Sequence, residues 1–180
     1  DKPTRQGRVA AAMRMLASFH SLAAKVRSEV GKAPTVGDRL RLRTRVRAGE
    51  LQSLGRALQT PLDAQIDSYA RRLFALTEPL AGRLAASGGQ YEALSETPAL
   101  LLIPAIRDIH RDHVLFSGDA VTGLIDFGAM RMDTPLADIA RLTGSLAGDD
   151  AALRNTAFDH YAEFRHLSSA ERHLIELFDE

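Results

Sequence analysis

Along residues 4–30 the apolar positions Val9, Ala12, Met13, Leu16, Phe19, Ala23 and Val26 recur at three- and four-residue steps, with Arg8, Arg14, Lys25 and Arg27 between them. That period predicts one amphipathic helix, closed by Gly31 and Pro34. His20 lies beside its apolar stripe, where a lone histidine is expected to be a hydrogen-bonded packing residue. Residues 35–59 first alternate arginine with apolar residues and then space Leu51, Leu54 and Leu58 helically, so a helix is favoured over a strand. Its arginines, Arg39 to Arg47, read as a solvated face partly neutralised by Asp38 and Glu50. Thr60, Pro61 and Asp63 open the longest apolar stripe, Ile66 to Leu84, and Ser87, Gly88 and Gly89 close it. A loop with a helical turn at 91–96 leads to Pro98.

The period then changes. Residues 99–106 form an apolar run of strand length containing Pro104. Val114, Leu115 and Phe116 form a short strand, 117–120 a turn, and 121–125 a second strand, which together predict a hairpin. After Gly128, Asp133, Thr134 and Pro135 mark a helix start, with Leu136, Ile139, Ala140, Leu142 and Leu146 on one face and a break at Gly148. Two last helices are expected at 151–164 and 168–178, the second opened by the capping box Ser168 to Glu171. The fold class is therefore α+β and predominantly helical, one domain over residues 1–180, with a small hairpin inserted.

Composition narrows the function. Twenty-three lysines and arginines balance 23 aspartates and glutamates, so no net field favours nucleic acid or an anionic membrane. The absence of cysteine removes disulfides, thiolate metal sites and cysteine nucleophiles. No apolar run approaches the roughly 20 residues that span a bilayer, and a soluble, cytoplasmic protein is expected.

Chemistry concentrates at 106–128. Asp108 and His113 precede the first hairpin strand and Asp126 follows the second, so antiparallel pairing is expected to return Asp126 to the neighbourhood of His113. Oxygen ligands suit magnesium, whereas the imidazole suits softer ions. Taken singly, Asp108 and Asp126 could simply cap a turn and a loop. Jointly, with a hairpin between them, they point to a functional cluster. A metal-dependent hydrolase built from Asp108, His110, Asp112, His113 and Asp126 is one possible use.

The segment IRDIHRDHVLFSGDAVTGLIDFGAMRMDTPLADIARL resembles the catalytic core of the aminoglycoside phosphotransferase and choline kinase superfamily, which shares the protein-kinase-like fold. MLASFH, at 15–20, is similar to the Leu-Ala-x-Leu-His segment near the start of that fold's C-terminal helical lobe. The resemblance implies that Asp108 is the catalytic aspartate and that His113 stands where a metal-binding asparagine is usual. It further implies that Asp126 is the metal-binding aspartate and Asp138 a structural aspartate, with Arg107, His110 and Asp112 supporting. Ile106 replaces the usual histidine. ATP and Mg2+ are the implied cofactors, a small-molecule hydroxyl the implied acceptor. The superfamily's glycine-rich phosphate loop and strand lysine are not found in residues 1–180, so the expectation is either an N-terminal lobe upstream of Asp1 or a solitary lobe without ordinary kinase activity. The alternative within the resemblance is a pseudokinase-like binding or regulatory module.

Overall fold

The structure is a computed structural model that describes residues 4–47, 49, 50, 53, 68, 69, 71, 72, 75 and 99–179. The chain divides into two compact units, Asp1–Thr35 with Pro98–Glu180, and Val36–Thr97.

In the first unit, α1 (Arg5–Val26) is capped by Thr4, whose hydroxyl accepts from the Gly7 amide. Its buried stripe, including Val9, Met13 and Leu16, follows the predicted period. The helix stops four residues short of the expected end. Arg27 is extended, and β1 (Glu29–Gly31) pairs with β2 (Leu100–Ala105), Glu29 opposite Leu102. Free strand edge on β2 captures residues whose local pattern could equally continue a helix.

β2 is the middle strand of the antiparallel order β1-β2-β5, where β5 is Arg131–Asp133. β5 has no period-2 signature and was not expected as a strand. Pro104 is accommodated within β2 because β1 pairs only with 100–102, leaving that flank free of a partner where proline lacks its N–H.

The hairpin forms as predicted from β3 (Val114–Ser117) and β4 (Ala120–Leu124). Gly118, at φ +62°, takes the first position of its two-residue turn, a conformation that favours glycine. The neighbouring Asp119 accepts from the Thr4 amide at 2.9 Å, tying the turn to the start of α1. A Cβ on Gly7 would lie 2.6 Å from the Asp119 carboxylate, so a larger residue there would push that side chain out of its bond to Thr4.

α3 (Pro135–Ala147) begins with Thr134 as N-cap and Pro135 inside the first turn, and ends at Gly148 with φ +57°. α4 (Ala151–Ala162) and α5 (Ser169–Asp179) follow. The capping box is present: the Glu171 amide donates to Ser168 Oγ at 3.2 Å, and the Ser168 amide to Glu171 Oε2 at 3.0 Å. Although burial opposes it, these bonds and the adjacent Arg165 hold the Glu171 carboxyl below its usual range. α1 packs on α4 and α3, and α3 on α5. Met13, Leu16, Ile103, Leu136, Ile139, Leu142, Tyr161 and Ile175 are fully buried among them.

Of the second unit, α2 (Pro34–Arg47) supplies most of the described residues; it begins at the end of the first unit. The helical reading of the arginine-rich segment holds over this range. Arg41 pairs with Asp38 at 2.5 Å and Arg45 with Glu50 at 2.7 Å, the neutralisation expected of an exposed face. Residues 68, 69, 71, 72 and 75 are helical; the rest of the helix expected at 60–84, and the turn at 91–96, lie outside the described residues. No helix among the described residues is long and apolar enough to cross a membrane.

Candidate active site

The site is built on the loop leaving β2, the hairpin that follows it and one face of α3. Ile106 and Ile109 are 1% exposed, so the loop is anchored by two apolar side chains with the polar residues between them. Beneath it lies Asp138, fully buried, which accepts from the Ile106 amide at 2.7 Å and the Arg107 amide at 2.6 Å. His20 Nε2 lies 3.1 Å from the same carboxylate, and His20 Nδ1 lies 2.8 Å from the Tyr161 hydroxyl. A carboxylate only accepts, so Nε2–H donates and, in the neutral ring, Nδ1 accepts from Tyr161. His20 is thus a satisfied core histidine, as its place on α1 suggested. Burial pushes the Tyr161 hydroxyl pKa far up, keeping it a donor.

Arg107 has φ +68°, an uncommon conformation for a residue with a Cβ. Its amide is held by Asp138, and its Nε lies 2.9 Å from Asp133 Oδ2. Asp133, fully buried, also accepts from the Thr35 amide at 3.2 Å, the Thr35 hydroxyl at 2.6 Å and the Thr134 amide at 2.8 Å. One carboxylate therefore joins the start of α2, the start of α3 and the strained loop residue.

Asp108 is about half exposed, and its Oδ1 lies 2.5 Å from Arg141 Nη2. Its carbonyl contacts His113 Nδ1 at 2.8 Å. A carbonyl has no proton to give, so Nδ1–H is the donor and the bond fixes the ring with Nε2 on the opposite side. That Nε2 faces Asp126 Oδ2 across 3.6 Å. Ladder pairing of Val114 with Leu124, extended by the Ile125 amide donating to the His113 carbonyl at 3.0 Å, brings the two residues together as the hairpin reading expected. Asp126 itself has φ +64°, and its Oδ1 lies 3.4 Å from the Gly128 amide. Two non-glycine residues in the left-handed region, one at each end of the hairpin unit, mark it as a place where strain is tolerated.

His110 stacks on His113 with ring centroids 3.7 Å apart. Asp112 points outward, 72% exposed, 3.6 Å from His110 and 3.5 Å from Arg111. Of the seven residues singled out from sequence, His113 and Asp126 face one another. Asp108 reaches them through its backbone, and Asp138 and Arg107 support the loop from below. Among the described residues no three of His, Asp or Glu are grouped to hold a metal ion. His113 Nε2 and Asp126 Oδ2, 3.6 Å apart, are the two groups that would hold a divalent cation completed by a ligand's phosphates and water, the usual manner of magnesium.

Sequence reasoning missed Arg141, Ser145 and the central place of Asp133. For Asp133 and Ser145 the available signal was a polar residue at the entrance or beside the apolar stripe of a helix; exposed Arg141 gave none.

The profile of the phosphotransferase enzyme family matches residues 1–172. The chain belongs to this family. No curated protein matches it by sequence. Among solved structures it is similar to a glucosamine kinase in complex with glucosamine, ADP and inorganic phosphate, at 16% identity and a TM-score of 0.57, covering 95% of this chain and 46% of that one. Two further crystal forms of glucosamine kinase match at TM-scores of 0.56 and 0.55, with 16% and 17% identity. They cover 95% of this chain and 46% and 45% of theirs. The chain thus spans under half the length of these kinases, and its similarity to them is one of fold.

Proposed function

We propose that the chain is the C-terminal, helical lobe of an ATP-dependent small-molecule kinase, transferring the γ-phosphate to a hydroxyl of an amino sugar. The observation that carries this reading is the His113–Asp126 pair: Nδ1 is committed to the Asp108 carbonyl, and Nε2 is brought to 3.6 Å from the Asp126 carboxylate at the open end of the hairpin. His113 and Asp126 would hold magnesium, which supplies charge neutralisation on the nucleotide phosphates when bound.

Asp108 serves as the base. The acceptor oxygen bonds to the γ-phosphorus, the bond from that phosphorus to the β–γ bridging oxygen breaks, and the hydroxyl proton passes to the Asp108 carboxylate. ADP and a phosphate monoester result. The residues contribute mainly position and fixed charge, which suits a transition state that makes little covalent demand on the protein. The amino-sugar acceptor is suggested by the glucosamine named in the related complex.

The test uses the full-length protein with MgATP and a panel of amino sugars headed by glucosamine, read by ADP release and by calorimetry. Asp108→Asn should abolish transfer while nucleotide affinity stays near wild type, and Asp126→Ala should lose magnesium-dependent nucleotide binding. No MgATP binding by the wild type would defeat the enzyme reading and leave a binding module; undiminished turnover in Asp108→Asn would remove the base assignment.

A further inference from the structure

Three residues of α3, Asp138, Arg141 and Ser145, lie three and four positions apart and so share one helix face. Each holds a different point of the loop above. Asp138 takes the Ile106 and Arg107 amides, Arg141 Nη2 takes Asp108 Oδ1 at 2.5 Å, and Ser145 Oγ accepts from the Arg111 amide at 2.9 Å. The outer two bind backbone. Arg141 alone of the three binds a side chain of the loop, and that side chain is the proposed base.

We infer that Arg141 is a positioning residue for phosphoryl transfer, fixing the Asp108 carboxylate so that one oxygen is engaged and the other is free to receive the acceptor hydroxyl. The inference rests on the reading of Asp108 as the base. Its physical ground is that Asp108 is 48% exposed and that, among the described residues, Arg141 is the side chain bonded to its carboxylate, while His113 is bonded to its carbonyl. Left to water, an aspartate so exposed would rotate among staggered wells. A base displaced by about 1 Å costs on the order of 10²-fold in rate. Arg141 suits the task because its planar fork restrains a carboxylate's orientation, which the point charge of lysine does not. Being 55% exposed itself, it can be removed without opening the core formed by Ile139 and Leu142.

The experiment is made on the full-length protein with MgATP and the same amino-sugar panel. Arg141→Ala should lower kcat by about 10²-fold while the KM for ATP and the thermal midpoint stay near wild type. Arg141→Lys should recover part of the loss, and guanidinium ion added to Arg141→Ala should recover part as well. Wild-type kcat in Arg141→Ala, a loss carried by the KM for ATP, or no response to guanidinium would overturn the inference. Should Arg141→Ala fold poorly, Arg141→Lys decides on the same readouts, with kcat equal to wild type as the overturning result. Amide hydrogen exchange separates this proposal from the one it rests on. If the wild type turns over no panel member, the amino-sugar reading fails by itself. Exchange then judges Arg141: faster exchange at Asp108 and Ile109 in Arg141→Ala, with Ile106 and Arg107 still protected, is expected, and unchanged exchange at all four overturns it.

Discussion

Asp133 concentrates more of the molecule's polar wiring than its place before a helix suggests. It is fully buried, pairs with the Arg107 guanidinium and accepts from Thr35 and Thr134. Removing one partner of a buried pair leaves the other charge uncompensated, which costs on the order of 3 kcal/mol. Asp133→Ala should therefore destabilise the protein by about that amount in denaturant unfolding. A loss below about 1 kcal/mol would mean that water reaches Arg107 in the folded state. At the hairpin's other end, His113 offers a separate test. Its Nδ1 bond to the Asp108 carbonyl is one that the shorter side chain of asparagine reaches less readily. His113→Asn should raise turnover with magnesium relative to manganese, because a carboxamide presents oxygen in place of nitrogen. Turnover measured with each cation in turn checks this, and an unchanged manganese-to-magnesium ratio would remove His113 from the metal.

Elements here are held as much by polar clamps as by apolar faces. α1 and α4 meet through Arg14, which bonds Glu163 at 2.7 Å, with His160 Nδ1 lying 2.6 Å from the same carboxylate. The Arg14 hydrogen bond, ahead of that from His160, lowers the Glu163 carboxyl to about 2 from an ordinary 4.5. The folded value is the lower one, so this clamp contributes fully above about pH 4.5 and is lost as pH falls through about 2. Glu163→Gln should flatten the fall of the thermal midpoint between those two pH values, and parallel midpoint curves for variant and wild type would show that the clamp does not bear on stability. The elements also differ in how plainly they were written in the chain. α1, the hairpin, α3 and the capping box of α5 each carry a local signal, whether period, turn or cap, and each formed within a few residues of expectation. β1 and β5 carry none, because three-residue strands such as Glu29–Gly31 exist only by pairing with β2. Arg141 stayed hidden for the same reason. Its importance comes from a contact 33 residues away in sequence, which no local pattern encodes.

At the scale of the whole chain, the residues assigned to chemistry and the residues expected to choose an acceptor fall in different units. Asp108, His113, Asp126, Asp138 and Arg141 all belong to the unit formed by Asp1–Thr35 and Pro98–Glu180. The segments that resemblance to the superfamily associates with acceptor choice, 32–55 and 88–98, lie mostly within Val36–Thr97. That unit contributes none of the seven site residues. Thr35, bonded to the buried Asp133, is the last residue before it. Replacing residues 36–97 in the full-length protein by the matching segment of a relative with another acceptor should exchange acceptor preference, by roughly 10- to 200-fold in kcat/KM. The KM for ATP should stay unchanged. If preference stays with the unit that carries Asp108, acceptor recognition belongs to the loop and hairpin themselves, and His110, Arg111 and Asp112 become the residues to change next.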